Sequence, residues 1–138
     1  MPSEFRYARR VQFAETDLAG IVHFSTMFRY MEEAEHAMWR SVGLTIAEPG
    51  GALGWPRLTA AIEFRNPLRF EEEFDVIVRI AALKTRTIDY EFILRKGETL
   101  IAMGRITCIC ARKQDDGTMR ATEIPGEIAA NLRPFVKA

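Results

Sequence analysis

A chain of 138 residues with 48% hydrophobic and 28% charged residues has the length and composition of one globular domain, 1–138, with one core. Lys and Arg total 19 and Asp and Glu total 19, with no basic block, which argues against nucleic acid or an anionic membrane surface as the main partner. No run of about 18 apolar residues is present to span a bilayer, and the opening "MPSEFRYARR" lacks an apolar leader core, so a cytoplasmic protein is expected.

In chain order, 5–13 ("FRYARRVQF") carries aromatic and β-branched residues in partial alternation and predicts a first strand. The segment "ETDLAGIVHFS" follows, with Glu15 and Asp17 two apart, then Gly20, His23 and Phe24. From Ser25 to about Val42 the pattern is helical: Phe24, Met27, Met31, Ala34, Met38 and Val42 recur at spacings of three and four, and Phe28, Ala37 and Trp39 widen the stripe. Ser25 is placed to cap this helix and Gly43 to stop it. About 18 residues make a helix ~27 Å long, and one so apolar around its circumference has to be wrapped by other elements.

The Gly- and Pro-rich stretch 45–57 reads as a loop, either a lid over a pocket or a surface crossover. Strands are expected next over 57–64, 73–80, 87–95 and 99–111, joined by hairpin connections. In 73–80 the residues Phe74, Val76, Val78 and Ile80 share one face, and in 87–95 Ile88, Tyr90, Phe92 and Leu94 do. The last of these strands is apolar on both faces, which places it centrally. "QDDGT" is a turn before a short edge strand, and "IPGEIAANLRPF" a short closing helix with Pro125 near its start. Cys108 and Cys110 stand two apart on one strand, poor geometry for a disulfide, and read as reduced core thiols. No metal is expected, because two cysteines and two distant histidines do not make a ligand set.

One greasy helix early and long antiparallel strands later give an α+β architecture, an antiparallel β-sheet wrapped around one long central α-helix. Such a sheet leaves an edge strand open, and pairing with a second copy would cover it.

The stretch "VQFAETDLAGIVHFSTMFRYMEEAEHAMWRSVGL" (11–44) resembles the opening of hotdog-fold acyl-CoA thioesterases of the 4-hydroxybenzoyl-CoA thioesterase-like family, which includes the small bacterial enzymes associated with the Tol-Pal system. "NPLRFEEEFDVIVRI" and "TEIPGEIAANL" are similar to later family segments. The chain departs from the family at Thr26-Met27, where Asn-Tyr is common, and at His36, where many members have Arg. The resemblance implies a hotdog fold and hydrolysis of an acyl-CoA without cofactor. It also implies a site at a subunit interface of a homodimer or homotetramer, with Asp17 as the catalytic carboxylate and the Phe24 amide polarising the thioester carbonyl.

The chemistry agrees with that placement. An acyl-transfer transition state needs donors aimed at a developing oxyanion, and the first turn of a helix offers unpaired N–H groups. Asp17 would activate water or attack directly, and Gly20 would let the chain bend to bring it there. Other roles stand beside these. Asp17 can be read as a loop cap, Glu15 as a structural acid bonding backbone or an Arg, and His23 as a carbonyl- or water-binding group or a half-buried structural histidine. His36 reads as a helix-face residue between Glu32 and Arg40, and Met27, Met31 and Met38 as core or as tunnel lining. Lys84, Arg86, Arg112 and Lys113 are candidates for the phosphates of coenzyme A, or ordinary solvated charges. The runner-up function is a hotdog protein that binds acyl-CoA or acyl carrier protein without hydrolysing it. A dehydratase of the same fold suits the order of acid and histidine less well.

Overall fold

The computed structural model describes residues 3–137; Met1, Pro2 and Ala138, the ends of the span expected as one domain, lie outside the described residues. The central helix α1 runs Thr26–Ser41. It buries Met27, Tyr30, Met31, Ala34, Met38 and Trp39, the stripe that the three-and-four spacing marks out. It ends in a Schellman motif: Leu44 N–H donates to Trp39 O at 3.0 Å and Gly43 N–H to Arg40 O at 3.1 Å, with Gly43 at φ 78°.

Five strands wrap this helix: β1 (Phe5–Arg10), β3 (Arg57–Phe64), β4 (Glu73–Leu83), β5 (Thr87–Lys96) and β6 (Thr99–Ile109). They form one antiparallel sheet in the order β1-β4-β5-β6-β3. The alternating faces of β4 and β5 point at α1, so Phe74, Val76, Val78 and Ile80, and Ile88, Tyr90, Phe92 and Leu94, are buried. A smaller sheet holds β2 (Leu53–Gly54), β7 (Ala111–Lys113) and β8 (Met119–Ala121) in the order β2-β7-β8. The short helix α2, Gly126–Leu132, closes the chain with Pro125 at its N-cap position.

Two expected strands are shorter than the sequence suggests. The strand expected over 5–13 stops at Arg10, because Phe13–Glu15 winds into a 3-10 turn that starts the next loop. The strand expected over 99–111 divides at Cys110, whose N–H turns to Arg86 O at 2.7 Å, and Ala111 onward joins the small sheet. The two-residue strand β2 lies inside the stretch 45–57 expected to be a loop.

Two contacts set how the helix meets the sheet. Gly104 of β6 lies under Met31: a Cβ there would sit 2.7 Å from Met31 Sδ and 3.3 Å from Ala61 O. At the start of β3, a bulge between Arg57 and Thr59 advances that strand by two residues against one on β6. Arg57 and Ala60 therefore share the helix-facing side, and the Arg57 guanidinium reaches the fully buried Glu35 carboxylate and, at 3.4 Å, Glu32. Strands β1 and β3 are the two edges of this sheet, and β3 carries exposed apolar side chains, with Leu58 55% and Phe64 49% exposed.

Candidate active site

The "ETDLAGIVHFS" segment folds back on itself as a small hairpin. Thr16 bridges Val22, Asp17 N–H donates to Ile21 O at 2.9 Å, and His23 N–H donates to Glu15 O at 2.9 Å. The turn closes through Gly20, whose φ of 80° is one that other residues rarely adopt. One face of this hairpin is tied to the chain after β3 by Val22 N–H to Leu68 O, 2.8 Å. The hairpin is what carries the Asp17 carboxylate back toward the mouth of α1.

Glu15 anchors the hairpin. Its carboxylate accepts from Arg9 Nη2 at 2.5 Å, Arg9 Nη1 at 3.1 Å, the Gln12 N–H at 2.8 Å and the Tyr30 hydroxyl at 2.8 Å. Burial pushes the Glu15 carboxyl up, but the Arg9, Gln12 and Tyr30 hydrogen bonds together outweigh it and hold the group below the usual carboxylate range. Burial and the Glu15 carboxylate raise Tyr30, which stays a phenol. With its oxygens so occupied, Glu15 has the structural geometry.

Asp17 differs. Its Oδ1 accepts only the Ala19 N–H, at 2.8 Å, in an Asx turn, and among the described residues it has no ion-pair partner. It lines two clefts at once. The larger, about 930 Å³, is bounded by Thr16, His23, Ser25, Thr26, Arg29 and the edge-to-face pair Phe13–Phe70. The smaller, about 500 Å³, is bounded by Ile21, Val22, Phe24, Met27, Phe64 and Pro67, with Arg65 and Asn66 also on its wall. Met27 is thus both core and cleft lining, whereas Met31 and Met38 are core.

The donors at the helix mouth are fewer than the sequence suggests. Thr26, Met27 and Phe28 N–H close 3-10-type bonds to His23, Phe24 and Ser25 carbonyls at 2.9, 3.2 and 3.3 Å. Ser25 N–H donates to His23 Nδ1 at 3.2 Å. From Val22 to Phe28, the Phe24 N–H is the amide without a partner among the described residues. Ser25 is a correction to expectation. It has helical φ and ψ and makes no side-chain cap; the His23 ring supplies the acceptor instead. The Ser25 hydroxyl lies 2.9 Å from the same Nδ1. The ring also stacks on Phe24, centroids 4.7 Å apart.

The cations considered for phosphate binding gather at the other end of the molecule. Arg86 O accepts from Cys110 N–H, bringing the hairpin holding Lys84 and Arg86 beside the strand end holding Arg112 and Lys113. That end adjoins Arg57, whereas Asp17 adjoins Phe64, so the eight residues of β3, about 23 Å of strand, separate the two within one chain. Lys84 is paired with Asp89 at 3.8 Å. Two other cations, which the sequence reading passed over, do share a cleft with Asp17: Arg29 in the larger one and Arg65, 3.5 Å from Glu63, in the smaller. For Arg29 the signal was there: α1 has no acid in its first turn and places Arg29 fourth, against the sense of the helix dipole. His36 is a helix-face residue, 3.9 Å from Glu35. Burial, with Glu35 nearby, pushes the Cys108 thiol up to about 12, and burial raises Cys110, so neither is an activated nucleophile. No group of three or more His, Cys, Asp or Glu placed to hold a metal occurs among the described residues. None of the described helices is long and apolar enough to cross a membrane.

The thioesterase-like superfamily matches residues 11–132. A crystal structure of a hypothetical protein from Aquifex aeolicus superposes with a TM-score of 0.83 at 32% identity, covering 93% of this chain and 98% of that one. A gentisyl-coenzyme A thioesterase superposes with a TM-score of 0.83 at 26% identity, covering 93% of this chain and 99% of that one. A 1,4-dihydroxy-2-naphthoyl-CoA hydrolase from Prochlorococcus marinus is 29% identical over 111 residues, 73% of this chain and 74% of the relative. The chain belongs to the thioesterase-like superfamily, as a thioester hydrolase of the hotdog fold.

Proposed function

We propose that this protein hydrolyses the thioester of an acyl-coenzyme A to the free acid and coenzyme A, with Asp17 as base or nucleophile and the Phe24 N–H as the oxyanion donor. The observation that carries the reading is the pairing at the helix mouth: Asp17, free of ion pairs, lines the smaller cleft together with Phe24, whose N–H is the one amide from Val22 to Phe28 without a partner among the described residues. As a base, Asp17 takes a proton from water while the water oxygen bonds the carbonyl carbon. The C–S bond then breaks, and the thiolate leaves and takes up the proton. As a nucleophile, it forms a mixed anhydride that water opens. The Phe24 N–H holds the carbonyl oxygen as it gains charge. His23 lines the larger of the two clefts that Asp17 borders. The names of the relatives, which act on 1,4-dihydroxy-2-naphthoyl-CoA and gentisyl-CoA, support an acyl-CoA and put aromatic acyl groups first in a substrate panel.

The open edge of β3 supports a homodimer formed by pairing this strand with its copy. Antiparallel pairing would bring the partner's cation-rich end beside Asp17, so Lys84, Arg86, Arg112 and Lys113 would meet coenzyme A phosphates across the interface. A thiol-release assay over a panel of acyl-CoAs, on wild type and Asp17→Asn, tests the function. Wild-type turnover and a loss of roughly 10³-fold in kcat for the variant are expected. Near-normal turnover by Asp17→Asn overturns the assignment. Label in the Asp17 peptide after a single turnover in ¹⁸O-water would identify the nucleophilic path, with water opening the anhydride at the aspartyl carbonyl.

A further inference from the structure

Asp17 stands on the wall between two clefts of different chemistry, and this is more than a single general pocket requires. On one side the lining is mainly apolar: Ile21, Val22, Met27 and Pro67, with Phe24 edge-on to Phe64 at 6.4 Å between centroids and Arg65 and Asn66 as the polar members beside Asp17. On the other side Thr16, His23, Ser25, Thr26 and Arg29 bring hydroxyl, imidazole and guanidinium groups to one surface. A thioester has the same asymmetry. Its acyl side is apolar, and its thiol side, in coenzyme A, is a chain of amides ending in phosphates.

From this match, and resting on the thioesterase reading above, we propose that the Phe64 cleft takes the acyl group and the Arg29 cleft takes the thiol arm, with Arg29 donating to oxygens of that arm. Three observations support this orientation. Arg29, like Arg40 and Arg69, has no ion-pair partner among the described residues, and it is the one of these three that lines a cleft with Asp17. Its place near the start of α1 sets it against the helix dipole, a cost that an anionic or strongly accepting ligand would offset. The Phe24 N–H, the oxyanion donor in this reading, belongs to a residue of the acyl-side wall, while the His23 ring belongs to the thiol-side wall, so the reacting carbonyl bridges the two. The guanidinium has five N–H donors and serves an amide carbonyl or a phosphate equally well.

The two subsites are separable by changing one half of the substrate at a time. One acyl group is presented as its coenzyme A, pantetheine and S-ethyl thioesters, and a series of acyl groups is presented on coenzyme A. For Arg29→Met, the ratio of kcat/KM for the coenzyme A thioester to that for the S-ethyl thioester falls about tenfold or more, through KM, and Arg29→Lys recovers part of it. The pantetheine thioester then identifies the contact: sensitivity retained there means amide carbonyls, and sensitivity lost means phosphates. For Phe64→Ala, preference among acyl groups changes roughly tenfold while the coenzyme A to S-ethyl ratio holds. Equal losses on all three thiol carriers in Arg29→Met, or a changed carrier ratio in Phe64→Ala, overturn the assignment while leaving the thioesterase reading intact. A wild type that hydrolyses none of these thioesters removes that reading and the subsites with it.

Discussion

The Tyr30 hydroxyl donates to Glu15 Oε1 across 2.8 Å, and this bond ties the base of the Asp17 hairpin to the central helix. The same carboxylate is gripped by Arg9, so three separate elements, β1, the hairpin and α1, converge on one side chain.

Replacing Glu15 with Gln keeps the shape and removes the charge. We expect a loss of roughly 2 kcal/mol at pH 7, because hydrogen bonds to a charged, largely buried group are broken. The pH dependence has a definite sign. The folded Glu15 carboxyl is held below its unfolded value, so its contribution is present above about pH 4.3 and is lost as pH falls through the folded value. Melting curves of wild type and Glu15→Gln from pH 7 to pH 3 should therefore converge at the acid end. A gap that stays constant across that range would show that the charge contributes nothing.

At the helix–sheet contact, Gly104→Ala puts a methyl group against Met31, with Sδ 2.7 Å from the new carbon. Met31 is fully buried, so its escape disturbs the core, and about 1–3 kcal/mol of destabilisation is expected in urea unfolding. Adding Met31→Ala should recover part of the loss, giving a clear coupling in the double-mutant cycle.

The Arg57–Glu35 pair joins the open edge strand to α1. Arg57→Leu leaves a fully buried carboxylate without its partner and should cost about 3 kcal/mol or more. The double variant Glu35→Leu/Arg57→Leu should be more stable than Arg57→Leu alone, because it removes the stranded charge. Equal stabilities would mean that Glu35 finds other partners.

Charges placed along the exposed side of β3 should prevent pairing of two copies. Leu58→Lys/Phe64→Lys is expected to sediment as a 15.7 kDa monomer, with wild type at twice that mass. A wild type that is already monomeric sinks the proposed interface.

Local pattern by itself determined the helix and the strand faces. The three-and-four spacing from Met27 to Met38 and the alternation in 73–80 and 87–95 report directly which side of each element avoids water, since each periodicity is that of its own backbone geometry. The stop at Gly43 and the bend at Gly20 were also legible, because a left-handed backbone conformation favours glycine. Tertiary structure alone decided the rest. Glu15 and Asp17 differ by two positions and look alike in sequence; one is saturated by Arg9 and Tyr30 from distant elements, and the other is left open to two clefts. Which helix-mouth amide remains free depended on the 3-10 bonds of the entering chain and on the His23 ring, neither of which composition announces. The cations at the far end of β3, and Arg29 beside Asp17, were sorted only by the strand register, because charge carries no address until the chain folds.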